Sequence, residues 1–312
     1  MRFEGLETRE MLAGDVAVHI SGSTIDLNEV ASQVGAANYI TVSQLSNGNI
    51  RIDGVGHNLI DGAAFKDFIV PAGGPSIVAD FGGGNDHVRI LPGTHLASLN
   101  VDLGADVDTV DINGLTTTGA VQISTGAGVD NVFVQNSKIG DGIGQDDLTI
   151  NTGAGIDYVK VGSFDNYQEI KGSLRITTFA SASENEIDRV EVDLTTVRDY
   201  VQVTTGAGDD VVSMTAVTAG QQAVIQTMDG NDTVNLRDCT AIDHFYLLLG
   251  AGDDTLNTHL YVDAGTGYDR LNHYYDGPVG NTTYVGFEEI NGVKLFNKFN
   301  GTGIPGTIGM KA

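Results

Sequence analysis

The residues with the clearest capacity for chemistry are aspartates that return at a nearly fixed spacing. They close a five-residue turn reading Gly-Ala-Gly-x-Asp at residues 126–130, 153–157, 206–210 and 250–254. Looser copies end at Asp86, Asp108, Asp188, Asp232 and Asp269. Successive aspartates are 22, 22, 27, 31, 22, 22, 22 and 15 residues apart, which marks a repeat protein. Stacked repeats would bring one carboxylate per repeat into a column. Unit charges about 5 Å apart repel by roughly 1 kcal/mol per neighbouring pair even in water. The column therefore needs a cation, wider spacing or strong local hydrogen bonds. Calcium takes carboxylate and carbonyl oxygens, and a glycine-rich turn supplies both. A second reading of the same residues has each aspartate bonding its own turn backbone, with glycine there for geometry. The residues alone leave both readings open.

The elements that must position these turns are short strands. Apolar residues recur nine and seven positions before the aspartate, as at Val121 and Ile123, and two and four positions after it, as at Val132 and Val134. Each repeat thus reads strand, turn, strand, loop, with alternate side chains inward. One repeat cannot bury its own apolar face, but stacking at about 4.8 Å does. The expected fold is all-β, a single right-handed parallel β-solenoid (β-helix) with ~22-residue coils, the handedness resting on the general preference of parallel crossovers. Residues 1–14 read as a targeting-like segment, 15–275 as the solenoid and 276–312 as a C-terminal cap and tail. Within the solenoid, 15–75 are irregular first coils with strands expected at 16–20, 23–27, 39–43 and 49–53, and a tight turn at Asn47-Gly48. Regular repeats fill 76–275. A helical period is faintly present only over 28–34.

The departures from 22 fall at definite places. The interval from second to next first strand grows from nine residues to fourteen and thirteen, giving enlarged loops at 135–147 and 162–173 on the edge opposite the glycine turn. The turn between Thr178 and Asp188 is itself expanded. Composition supports this frame. There are 42 glycines in 312 residues, roughly twice average usage. The net charge of −25 argues against nucleic acid and anionic membrane, and favours cations or basic partners. No apolar run approaches the roughly 18 residues of a transmembrane helix. The single cysteine, Cys239, excludes an intrachain disulfide framework.

The turn pattern x-Gly-x-Gly-x-Asp followed by an apolar strand residue resembles the haemolysin-type (RTX-like) calcium-binding repeat, GGxGxDxUx, which forms a parallel β-roll. The resemblance implies that turn aspartates and neighbouring carbonyls hold Ca2+ between stacked turns. Carried over, the candidate metal ligands are Asn85, Asp86, Asp108, Asp130, Asp209, Asp210, Asp229, Asn231, Asp232, Asp253 and Asp254. Two departures stand out. Thr125, Thr152, Thr205 and Leu249 occupy the family's first glycine, and the repeat is 22 residues rather than nine. In the central copies Val107, Val129, Ile156 and Ile187 replace a polar residue, and Glu184 and Glu186 replace both glycines of one turn. Residues 6–13, LETREMLA, resemble the LExRxLLA signature near the start of many planctomycete secreted or surface proteins. That resemblance implies secretion or surface attachment; the partner expected for such a protein is an extracellular polysaccharide or surface protein.

The expected role is therefore structural or adhesive, with no catalytic residues. The alternative is a carbohydrate-active enzyme, because the architecture is similar to that of pectate lyases, which use acidic residues, often calcium, and a basic residue on an exposed sheet face. The enlarged loops carry Asp141, Asp146, Asp147, Phe164, Asp165 and Tyr167, with Lys160, Arg175 and Arg189 close in sequence, but no fixed lyase motif. Other signals fail on context. The GxGxxG match at 301–306 has no helix after it, and the histidines lack zinc spacing. Cys239 with His244 reads as a small core filler rather than a nucleophile pair.

Overall fold

The computed structural model describes residues 15–31, 35–70, 73–181, 186–243, 245–252, 254–259, 261–263, 270–274, 283–290 and 293–302. The targeting-like segment 1–14 lies outside the described residues. All regular structure among them is β, with no helix and thus none long and apolar enough to cross a membrane.

Three sheets carry the repeats. The first, of 14 strands, takes Ser76–Asp80, Ser98–Asp102, Val121–Ser124, Leu148–Asn151, Leu174–Thr177, Val201–Thr204, Ala223–Gln226 and Phe245–Leu248 in parallel succession. The second, of 11 strands, takes the strands that follow each glycine turn, from His87–Ile90 through Thr109–Asn113 and Asn131–Gln135 to Thr255–His259. Val88, Val110 and Val132 are direct partners across it, an offset of 22 residues at each step. Registry is strict because period-two alternation sends one set of side chains inward, and a one-residue slip would expose them all. The inward columns of both sheets are mostly Val, Ile and Leu and almost wholly buried, as at Val88, Val110, Val132, Val159, Val190, Val212 and Val234.

The third sheet occupies what the sequence reads as loop. Its seven short parallel strands run from His95–Leu96 through Thr116–Thr117, Lys138–Ile139, Gln168–Ile170, Thr195–Val197 and Thr218–Ala219 to Thr240–Ala241. The chain turns from the second sheet into the third through a left-handed residue: Asn136, Leu194, Ala216 and Asp238 have φ of 42–54°. Side chains one position on close the corner by bonding back two residues. Ser137 Oγ donates to Gln135 O (2.7 Å), Thr195 Oγ1 to Asp193 O (2.8 Å) and Cys239 Sγ to Arg237 O (3.3 Å).

The third sheet also corrects the placing of the enlarged loops. Ile139 to Leu148 spans nine residues where Thr117 to Val121 spans four, so the first insertion, 140–147, follows a third-sheet strand. Val161 to Ile170 spans nine where Val134 to Ile139 spans five, so the second, 162–167, precedes one. The insertions sit at opposite corners of the third sheet.

The expected N-terminal strands form, as Val16–Ser21, Thr24–Glu29, Tyr39–Gln44 and Ile50–Gly54, joined by Phe65–Phe68. Thr24–Glu29 and Tyr39–Gln44 pair in parallel with the first regular strands of their sheets, while Val16–Ser21, Ile50–Gly54 and Phe65–Phe68 fold back antiparallel beyond them. The faint helical period at 28–34 ends in strand at Asn28 and Glu29, and 32–34 lie outside the described residues. At the other end, Thr283–Ile290 joins the first sheet and pairs antiparallel with Val293–Thr302.

Candidate metal centre at the glycine turns

Each glycine turn leads from the first sheet to the second, and the turns themselves stack. Ala105, Ala127 and Ala154 are bridged in parallel, with Ala127 N donating to Gly104 O (2.9 Å) and Gly128 N to Ala154 O (2.7 Å). The close approach explains the second glycine of the motif. A Cβ on Gly128 would lie 1.7 Å from Asp106 O, and one on Gly155, where φ is +133°, 1.4 Å from Gly128 O. No side chain fits there without moving the neighbouring repeat.

The turn aspartates point inward. Asp86, Asp108, Asp130, Asp157, Asp188, Asp210, Asp232 and Asp254 are at most 2% exposed. Each carboxylate caps the backbone of the preceding repeat. Asp108 Oδ1 accepts from Asp86 N–H (2.7 Å), Asp130 from Asp108 (2.8 Å), Asp157 from Asp130 (2.9 Å) and Asp188 from Asp157 (2.9 Å). The ladder continues through Asp210, Asp232 and Asp254, at 2.8, 2.9 and 3.0 Å. It begins at Asn38, whose N–H donates to Asp86 Oδ1 at 2.6 Å. One of the two sequence readings has the side chain bonding its own turn; the bond goes to the turn one repeat earlier. It satisfies an N–H that would otherwise be buried and orphaned.

The second carboxyl oxygen is a different matter. Oδ2 of Asp86, Asp108, Asp130, Asp157, Asp210 and Asp232 is buried and has no hydrogen-bond partner among the described residues. Burial pushes Asp86, Asp157 and Asp210 up to about 7, Asp108 to about 8 and Asp232 to about 6, and raises Asp130. Neighbouring turn carboxyls add to the rise at Asp108, Asp157, Asp210 and Asp232. Opposing it, threonine hydroxyls lie against the carboxyls: Thr125 at Asp130, Thr152 at Asp157, Thr205 at Asp210 and Thr227 at Asp232. These threonines stand where the calcium-binding family has its first glycine. The position is fully buried in every one of them, and Thr125 Oγ1 and Thr227 Oγ1 donate to the next repeat's carbonyls, Thr152 O (3.4 Å) and Leu249 O (3.1 Å).

The residue before each aspartate points the other way, since neighbours in an extended chain face opposite sides. Asn85, Asp209 and Asn231 are exposed, and they form an outer ladder of opposite sense. Asn85 Oδ1 accepts from Val107 N–H (3.2 Å), and Asp209 Oδ1 from Asn231 N–H (2.8 Å). Asp229 is also exposed. The candidate ligands are thereby split into a buried inner column and an exposed outer rim. Asp253 lies outside the described residues. Val107, Val129, Ile156 and Ile187 continue the outer row, each 45–54% exposed. Among the described residues no group of three or more His, Cys, Asp or Glu side chains converges on a metal position. What suits a cation is the file of orphaned Oδ2 atoms.

Asn38 was missed because no glycine turn precedes it in the expected form. Asp157 and Asp188 complete the column and were recognisable from the same spacing. In the expanded turn, Glu186 Oε2 accepts from Gly155 N–H and Thr178 Oγ1 donates to Asp188 Oδ2 (2.6 Å). The glutamate that replaces a glycine thus helps to hold the stack together.

The loop residues of the enzyme alternative divide between two faces. Asp147 holds Ser173 N–H (2.7 Å) and the Arg175 guanidinium beside the first sheet, and Asp146 Oδ2 holds Gly142 N–H (2.7 Å) inside its own loop. Lys160, Phe164 and Arg189 gather on the second sheet. Cys239 is buried and its thiol is pushed up to about 11 by burial, which removes it as a nucleophile at neutral pH. His244 lies outside the described residues. No protein-family model, curated protein or solved structure matches the chain.

Proposed function

We propose that the protein is a secreted or cell-surface structural and adhesive repeat protein, and that its three sheets are the faces of a right-handed parallel β-solenoid with ~22-residue coils. Calcium is the ion that neutralises the stacked turn carboxyls. The observation that carries this reading is the ladder of buried aspartates, one per repeat, each with one oxygen spent on the backbone and most with the other orphaned. Orphaned buried carboxyl oxygens cost free energy unless a proton or cation takes them up. The resemblance of the turn to haemolysin-type repeats supports calcium over a proton, and so does the net charge of −25. The role is architectural, because the conspicuous polar groups are spent on holding the stack together. The enzyme alternative is weaker, since Asp141, Asp146 and Asp147 are engaged with backbone N–H groups or with arginine. Equilibrium dialysis against calcium is the test. Several ions per chain, falling when Asp210 and Asp232 are both replaced by asparagine, supports the reading. No bound calcium at millimolar free ion contradicts it.

A further inference from the structure

The outward face of the second sheet is small and polar at Thr109, Asp111, Ser213, Thr215, Thr233 and Asn235, and carries aromatic and basic side chains at its N-terminal end, where Tyr39 stacks on His87 at 4.2 Å and the Arg51 guanidinium lies 4.0 Å from the Phe65 ring. It changes character again at three adjacent strands. The register places Phe133, Lys160 and Glu191 side by side in one column, and Asn131, Tyr158 and Arg189 in the next. The Phe133 and Tyr158 rings meet edge to face at 5.6 Å. The Arg189 guanidinium lies 5.7 Å from the Tyr158 ring. The turn 162–167 brings Phe164 over this surface, its ring 5.7 Å from Lys160 Nζ. Phe164 and Tyr167 are 66% and 59% exposed, an unfavourable position for two large aromatic side chains in the absence of a partner.

The polar groups beneath are fixed. Glu191 Oε2 accepts from Tyr158 Oη (2.9 Å) and Lys160 Nζ (2.8 Å), and Oε1 accepts from Arg189 Nε (2.8 Å). Lys160 also reaches Asp193 at 3.4 Å. These donors hold the Glu191 carboxyl down to about 2, so it is an acceptor at every physiological pH. The side chains are locked in place before any ligand arrives, which lowers the ordering cost of binding.

We propose that this platform, Phe133, Tyr158 and Phe164 over Lys160, Arg189 and Glu191, binds an extended neutral glycan. The proposal rests on the adhesive reading and names its ligand class. Aromatic faces pack against the C–H face of a pyranose, and the fixed carboxylate and cations meet its hydroxyls. Strands spaced about 4.8 Å apart advance by close to one pyranose each, so a glycan running along the stack meets equivalent rows. The platform carries Lys160 and Arg189 against Glu191 and Asp193, with no net charge, on a chain of net charge −25 that repels polyanions. Three strands also offer far less area than the roughly 800 Å² per partner of a stable protein interface.

The test is native affinity electrophoresis in gels containing hydroxyethylcellulose, glucomannan or dextran, with alginate as the acidic comparison. The protein should be retarded by at least one neutral polymer and not by alginate. Phe164→Ala should bind that polymer roughly tenfold more weakly, the loss of one stacked ring. Ile242→Ala, which removes an exposed apolar side chain just after the last strand of the third sheet, should bind like the parent. Because Phe164 is exposed, its truncation leaves the melting temperature unchanged, which a melt in parallel confirms. Absence of retardation in all three neutral polymers overturns the proposal. So does equal retardation of Phe164→Ala and the parent, or a preference for alginate. None of these outcomes touches calcium binding at the turns, which dialysis reads separately.

Discussion

Replacing Asp210 by asparagine separates the two jobs of a turn carboxyl. Its Oδ1 accepts the Asp188 N–H at 2.8 Å, and asparagine keeps that acceptor. Its ionisation, however, is opposed by burial, which raises it from 3.8 to about 7. The rise of about 3 pH units corresponds to roughly 4 kcal/mol at 1.36 kcal/mol per unit. The direction follows from proton uptake. The folded state holds a proton that the unfolded state releases above pH 3.8, so this stabilising contribution is complete below that pH and is lost as pH rises through about 7. In chelator, urea unfolding followed by circular dichroism should therefore show the parent protein less stable at pH 8 than at pH 5. Between pH 5 and pH 8 only the two pH units below about 7 count, so Asp210→Asn should narrow that difference by up to about 2.7 kcal/mol, less where carboxyls along the column share the proton. Asp210→Ala should be about 1–3 kcal/mol less stable than Asp210→Asn at both pH values, because the Asp188 N–H is left buried without an acceptor. Asp165→Asn, at an exposed loop carboxylate, controls for overall charge and should change little. Parent stability that is flat or rising from pH 5 to 8 would refute the desolvated column.

Other perturbations read the packing. Gly155→Ala should cost well above the ~1 kcal/mol of an average point mutation, since its Cβ would meet Gly128 O at 1.4 Å; a melt within a degree of the parent would show that the turns are not stacked as described. Cys239→Ser should fold with stability within about 1 kcal/mol of the parent, because Ser137 makes the same bond to the carbonyl two residues back. The Cys239 thiol should react with a disulfide reagent only on unfolding; rapid reaction in the native state would contradict its burial.

The sequence exposed the repeat well because two strands in each unit carry large inward residues at fixed distances from an aspartate. The Val88, Val110 and Val132 column is visible as spacing alone. The third sheet was not, for a physical reason. Most of its strands are two residues long, and each ends on one inward residue, Leu96, Thr117, Ile139, Ile170, Val197, Ala219 or Ala241, too few per strand to show a period. The enlarged loops expected at 135–147 and 162–173 each contain a strand of the third sheet, and the added residues themselves are 140–147 and 162–167, at different corners of it. At the candidate site, spacing identified the aspartates and not their direction. Thr125, Thr152 and Thr205 stand in the sequence as departures from a glycine, and their full burial beside the column is the mark of an inward-facing turn. Asn38 shows the limit of motif reading: it takes the first rung of the ladder by register with Asp86, without the turn that marks the others.

Thermal unfolding followed by circular dichroism, in millimolar calcium, millimolar magnesium and excess chelator at pH 8, tests the central claim most directly. If calcium neutralises the turn carboxyls, it binds the folded state alone, and the midpoint rises by many degrees with calcium but not with magnesium. Asp210→Asn and Asp232→Asn should each reduce that rise. A midpoint unchanged by calcium would contradict the claim and leave the aspartate column as a proton-holding cap on the backbone.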